Sequence, residues 1–142
     1  MTILSIDSLL LSQIDDSPDD DSSYFTDSEA VNYPIYDENL NDSRQENQER
    51  IEVYNLFGST EDVAKYYDEP NGVYQISLFV ETNAGKGNSF RIAQEIKERY
   101  TRVVSGSPDL NVQTISVNTP RVEGSLYRVD LSVNYFYFEQ VN

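Results

Sequence analysis

The sequence predicts an α+β fold: a largely antiparallel sheet of four or five strands, with an N-terminal helix and one main helix packed on one face. Three patterns predict it. Tyr74, Ile76, Leu78 and Val80 alternate with Gln75, Ser77 and Glu81, the period of two that a half-buried strand requires. Tyr127, Val129, Leu131, Val133, Tyr135 and Tyr137 alternate in the same way. Between these runs, Phe90, Ala93, Ile96, Lys97, Tyr100 and Val103–Val104 follow helical spacing, strengthened by Ile92.

The elements follow in order. Ile3, Ile6, Leu9, Leu10 and Ile14 recur at three- and four-residue steps, a short helix over 3–14 that Thr2 or Ser5 caps. Asp15 and Asp16 oppose the dipole at its end and stop it. Residues 15–29 and 37–49 are acidic and poor in apolar side chains, so they are expected to be flexible and to add little to the core. Between them, Val31, Tyr33 and Ile35 form an island that docks as a short edge strand, with Pro34 confining it to an edge. Residues 50–57 read as a strand with Ile51, Val53 and Phe57 on one face, and Val63 to Tyr67 as a short strand in the connection that follows. Glu69-Pro70-Asn71-Gly72 is turn chemistry that brings a 73–82 strand back antiparallel. A glycine loop over Thr82–Ser89 leads into the main helix, capped by Asn88 or Ser89, and Ser105–Pro108 ends that helix. Strands over 112–118 and 126–138 complete the sheet. At 142 residues the chain is one domain with one core, residues 1–142.

Composition narrows the function. The formal charge is −15 and concentrated: residues 1–50 hold thirteen acids and two bases, residues 51–142 twelve and eight. Such a chain repels phosphate over most of its surface, so non-specific nucleic-acid binding is not expected. There is no cysteine and no histidine, which removes disulfides, thiolate sites, the commonest general base and the commonest transition-metal ligand. No apolar run approaches the roughly 20 residues that span a bilayer, and the N-terminus lacks the basic start of a signal peptide, so a cytoplasmic protein is expected.

No motif signals catalysis. Asn83-Ala84-Gly85-Lys86-Gly87-Asn88-Ser89 lies where phosphate loops lie, but its glycines are two apart and no Lys-Ser or Lys-Thr pair follows. The run Asp15, Asp16, Asp19, Asp20, Asp21 lacks the spacing of a calcium loop. Ser77, Ser89 and Ser132 have no histidine to activate them. No enzyme activity, cofactor or metal is expected. The aromatics point elsewhere. Tyr127, Tyr135 and Tyr137 alternate with Phe136 and Phe138, so both faces of the last strand are aromatic. Either the chain's own helices and loops cover both faces, or another subunit covers one.

The order of elements resembles the tail terminator proteins of long-tailed bacteriophages. The likeness rests on Asn32-Tyr33-Pro34-Ile35, a strand at Arg50–Tyr54, the Gly72–Val80 strand with Gly-Val-Tyr-Gln-Ile-Ser-Leu, the Gly85/Gly87 loop, a helix at Arg91–Tyr100, and a closing strand at Tyr127–Tyr135. The acidic stretches at 15–29 and 37–49 depart from the pattern. The resemblance implies a virion protein, assembled in the host cytoplasm, that forms a ring, usually sixfold, on the head-proximal end of the tail tube. Its partners would be copies of itself, the tail tube protein and the head connector or stopper protein. It implies no cofactor and no membrane, and genome DNA would pass through the ring. Contacts between subunits or with the tube are expected at Thr82, Asn83, Gly85, Lys86, Gly87 and Arg91, where glycines allow close approach and basic groups meet a neighbour's carboxylates. Tyr135 and Tyr137 are the expected aromatic contacts. Two other readings fit the composition: a different neck or head–tail completion adaptor, and an acidic module that masks a basic partner.

Overall fold

A computed structural model describes residues 3–17, 23–37, 48–57, 71–100 and 110–137. The elements are α1 (Ile3–Ser12), β1 (Tyr24–Thr26), β2 (Asn32–Asp37), β3 (Arg50–Phe57), β4 (Asn71–Glu81), α2 (Lys86–Glu98), β5 (Leu110–Val117), β6 (Arg121–Glu123) and β7 (Leu126–Tyr137). They form an α+β fold. The strands join one seven-stranded sheet in the order β1-β2-β3-β4-β7-β5, with β6 paired to β7 beside β5. All pairs are antiparallel except β2 with β3.

Strand alternation sets the two faces. In register, Ile51 meets Leu78 and Leu78 meets Val129; Val53 meets Ile76 and Ile76 meets Leu131. These residues are buried in one cluster with Ile6, Leu10 and Ile14 of the α1 segment and Ile92, Ala93 and Ile96 of α2. Both helices therefore lie on the same face. Tyr100 follows α2 and donates to the Leu10 carbonyl at 2.9 Å, linking the two helical segments; burial holds its hydroxyl far above the ordinary phenol range.

The sheet has more strands than expected because short acidic or polar segments join it. The island at 32–37 is flanked by β1 on one side and β3 on the other, so it is not an edge. Pro34 is tolerated there because the ladder to β3 starts only at Ile35, and its missing N–H interrupts no bond. Val31 sits in the turn before β2 and is exposed, not docked. The expectation that 15–29 adds little to the core fails at Phe25, which is fully buried in the main cluster. The expected strand at Val63–Tyr67, Val103–Val104 at the end of the helix, and most of 37–49 lie outside the described residues.

The main helix starts earlier than its loop-like sequence indicates. A 3-10 turn at Thr82–Ala84 leads to Gly85, whose φ of 88° lies in the region that favours glycine, and α2 begins at Lys86. Neither Asn88 nor Ser89 caps it: no side chain caps this end, and Ser89 Oγ, buried, donates to the Lys86 carbonyl at 2.6 Å. The buried stripe is Ser89, Ala93, Ile96 and Tyr100 with Ile92. Phe90 lies about 100° round the helix from Ser89 and is 41% exposed, so it does not join the core as its spacing suggested.

The glycine that the packing depends on is Gly72. It faces Tyr135 across the β4–β7 ladder. A Cβ at this position would lie 2.6 Å from Tyr135 Cζ and 3.0 Å from the Leu56 carbonyl. The ring cannot move aside cheaply. Tyr135 is fully buried and its hydroxyl donates to Asn55 Oδ1, while Asn55 Nδ2 donates to Asp7 Oδ1 at 2.6 Å. This chain of hydrogen bonds ties β7 to β3 and β3 to α1.

Gly72→Ala should lower stability in urea unfolding by about 1–3 kcal/mol, the usual range for overpacking a core. Tyr135→Phe should cost about 1 kcal/mol through the lost hydrogen bond. An unfolding midpoint for Gly72→Ala equal to that of the parent would refute the close approach.

Candidate interface

The residues expected at a subunit contact separate into three groups. Thr82, Asn83, Gly85, Lys86 and Gly87 sit together at the end of β4 and the start of α2. Asn83, Lys86 and Gly87 are exposed, Thr82 and Gly85 half-buried. The loop borders a shallow groove of about 240 Å³ shared with Ser125 of the β6–β7 turn and Leu126 at the start of β7. Lys86 forms no ion pair among the described residues, so its ammonium is open to a partner. Phe90 extends this surface one turn further along α2. Its helical phase in the sequence, off the Ser89–Ala93–Ile96 line, is the signal that would have placed it outside.

Arg91 is engaged within its own chain. Its Nη2 lies 3.2 Å from Asp27 Oδ2, 2.9 Å from Asn88 Oδ1 and 3.4 Å from Glu29 Oε2. Its Nη1 donates to Ser28 Oγ at 3.0 Å and pairs with Glu95 one turn along. Asp27 is buried, and its Oδ1 also accepts from the Glu29 and Val31 amides, which closes the β1–β2 turn. Arg91 thus fastens that turn to α2, instead of offering a free cation to a neighbour.

Arg99 does the same at the other end of the helix. Its guanidinium meets Asp16 in two parallel bonds, Nη1–Oδ1 at 2.8 Å and Nη2–Oδ2 at 3.0 Å, the fork geometry that favours arginine over lysine. Asp16 Oδ2 also accepts the Thr26 amide at 2.8 Å, and Arg99 stands over the Phe25 ring at 4.8 Å. Asp16, read from sequence as a helix-stopping acid, therefore joins the α1 exit, β1 and the end of α2. Its hydrogen bonds from Arg99 hold its carboxyl below the usual carboxylate range.

Tyr135 and Tyr137 are buried in the subunit's own core, 0% and 7% exposed, with ring centroids 6.4 Å apart. They lie on the helix-covered face. The aromatic of β7 on the opposite face is Phe136, half-buried.

That opposite face is covered by no described helix. By register it carries Arg50, Glu52, Phe79, Glu81, Arg121, Glu123, Arg128 and Asp130 toward one end. Arg50 pairs with Glu52 at 2.7 Å and stacks 4.0 Å over the Phe79 ring. Arg128 stands 5.3 Å over the same ring and pairs with Asp130 at 2.9 Å and Glu123 at 3.2 Å. Arg121 reaches Asp130 at 3.2 Å, and Ser77 Oγ donates to it at 2.7 Å. Three arginines against four carboxylates leave the described face at −1, in a chain of −15. Further along, Ser132 donates to Gln75 and Asn134 to Thr114, each at 2.9 Å. Among the described residues no cluster of three or more carboxylates is arranged to hold a metal ion, and no helix is long and apolar enough to cross a membrane.

The sequence matches the family described as phage tail terminator protein over residues 21–135. No curated protein matches it. Five solved chains do. One of them, whose description gives neither organism nor function, has a TM-score of 0.72 at 17% identity, covering 100% of this chain and 99% of its own, a likeness that establishes the shared fold alone.

Because its bonds with Arg99 depress Asp16, this pair should stabilise the protein fully above the unfolded carboxyl value of 3.8. The contribution should be lost as pH falls through the lower native value. Asp16→Asn should therefore cost about 1 kcal/mol at neutral pH, given the partial exposure of the pair. The gap between parent and variant should shrink in acid. Urea unfolding from neutral pH downward measures it; a gap that stays constant to pH 2 contradicts the pairing.

Proposed function

The chain belongs to the phage tail terminator protein family, and we propose that it closes the head-proximal end of a tail tube as a ring, usually of six copies. The match over residues 21–135 carries this reading. A structural role in the phage tail follows from the family; the ring, the end of tube growth and the docking of the head connector are the proposal. Growth of a tube stops when its last ring is covered by a protein that binds the tube subunit but presents a different outer surface. The head connector then binds that surface. Genome DNA passes through the ring, and an acidic protein suits this passage, because a negative wall repels phosphate and lets it slide. No step of this role needs a cofactor.

Within this reading the loop at Thr82, Asn83, Gly85, Lys86 and Gly87 is a contact with a neighbouring subunit or with the tube. Its support is the open ammonium of Lys86 in a chain of net −15, beside the exposed ring of Phe90. Arg91 positions the start of this surface by fastening α2 to the β1–β2 turn, whereas Tyr135 and Tyr137 lie in the core at the other end of β4, beside Gly72.

Two measurements test the proposal. Purified protein added to polymerising tube subunits should give tubes of fixed maximum length with a cap at one end in negative-stain images; uncapped tubes that continue to grow would overturn the terminator role. Lys86→Glu should leave the thermal midpoint unchanged, since the side chain is exposed, but should weaken capping and its salt dependence roughly tenfold or less, as for a rim charge. Equal capping by Lys86→Glu at low and high salt would remove this loop from the contact. Arg91→Glu should instead lower subunit stability, and a stability equal to the parent would show that its bonds to Asp27 and Glu95 hold nothing in place.

A further inference from the structure

We infer that the open face of the sheet is the surface on which a second copy of this chain docks, with Leu56 at the centre of the contact. The inference rests on the ring reading above and names the face by which its copies meet.

The first argument is electrostatic. Copies that each carry −15 repel one another over any surface where the charge is unbalanced, and screening weakens this only beyond about 8 Å at physiological salt. Two copies in contact are closer than that. The surface they share must be neutral by itself, or matched by cations. The described open face is at −1, and each of its three arginines is already paired with a carboxylate of the same face. It is a surface that an acidic copy can approach without adding to the repulsion.

The second argument is apolar. Beyond the charged end and the Gln75–Ser132 rung, hydrophobic side chains join the face, in the row that also holds Asn134 and Thr114. Leu56 is 53% exposed on β3. Val73 is its partner in register on β4, and Phe136 on β7 lies diagonal to Val73. Such diagonal neighbours are within reach of an aromatic side chain. The described helices lie on the far side of the sheet, and Leu56 stands exposed on this one. The other exposed large hydrophobic residues among those described sit differently: Val31 in the β1–β2 turn, Phe90 on α2, and Val122 on the short β6. Of these four, Leu56 is the one that projects from the open face of a long strand, with Val73 beside it in register. A neutral, partly apolar centre is what distinguishes the core of a protein contact from the remaining surface.

The charge balance also excludes nucleic acid as the occupant. All three arginines of the face are engaged, so none is free to release counterions from a phosphate backbone.

The test is the association of the full chain measured by sedimentation velocity over a wide concentration range, and by ring counts in negative stain with tube present. Four variants are compared. Leu56→Glu and Leu56→Lys place opposite charges at the proposed centre, and Leu56→Thr keeps a strand-forming residue while removing most of the apolar surface, so folding is preserved. Val31→Glu, exposed in the β1–β2 turn, makes the same charge change away from the face. All three Leu56 variants should weaken association by about tenfold or more, consistent with the loss of one buried leucine, while Val31→Glu assembles like the parent. Weakening by Leu56→Glu with normal assembly by Leu56→Lys and Leu56→Thr would make the effect one of net charge, and would overturn the inference. A parent that forms rings, with all Leu56 variants forming them equally, also overturns it, leaves the ring reading intact, and turns the face toward the tube or the connector. A parent that forms no ring under any condition, with or without tube, overturns the ring reading itself.

Discussion

Seven strands are covered by two described helices, and both lie on one face, so among the described residues the other face is held together without a second apolar layer. It does so with side chains that satisfy one another. Arg50 and Arg128 lie over Phe79, and their charges end on Glu52, Glu123 and Asp130. The result is a face on which Ser77 and Asp130 are nearly as buried as core residues although no described helix covers them. A charged residue is buried cheaply only when it is paired and hydrogen-bonded. Asp130 meets that condition through Arg121, Arg128 and Ser77. The polar face is therefore as ordered a part of the fold as the apolar one.

The covered face depends on α2, and α2 is held at both ends by arginines. Arg91 fastens the β1–β2 turn near the helix start, and Arg99 fastens the α1 exit and β1 near its end. The acidic N-terminal third thus meets cations from a part of the chain 64 to 83 residues away. Asp16, Asp27 and Glu29 offset their mutual repulsion by meeting the arginines at the two ends of α2. This accounts for Phe25: the clasp at Asp16 presses β1 against the helix, and the one large apolar side chain of the strand completes the core. The basic side chain left open by this arrangement at the helix start is Lys86.

What the sequence made legible was local. The period of two at Tyr74–Val80 and Tyr127–Tyr137 places β4 and β7 with their inner faces, because alternation depends only on the pleat. The helical stripe at Ile92, Ala93, Ile96 and Tyr100 was equally visible. The helix start was misread because Gly85 and Gly87 look like a loop, while only Gly85 needs the special backbone geometry. β1 was missed because three residues in an acidic run carry too little periodicity to register. For the interface the failures are non-local. A count of charges marks Arg91 as basic but cannot show that Asp27, Glu29 and Glu95 surround it. Aromatic alternation at Tyr135–Tyr137 shows two faces but not which one the helices cover. Leu56 looked like one more strand residue, and only the sheet order reveals that no described helix covers its side of β3.

The position of β7 has a consequence for the birth of the molecule. It lies between β4 and β5, and residues 126–137 are made after both of them. A chain emerging from the ribosome can form the β3–β4 hairpin and α2 early, but β4 then waits with one edge unpaired and β5 has no strand to join. Such an intermediate exposes apolar surface and strand edges, the features that make unfinished chains stick together. Its contacts are long-range in sequence, so closure is intrinsically slow. Both the apolar core and the charge-balanced outer face are finished by that one insertion, since β7 supplies Val129 and Leu131 to the first and Arg128 and Asp130 to the second. Neither surface exists in mature form beforehand.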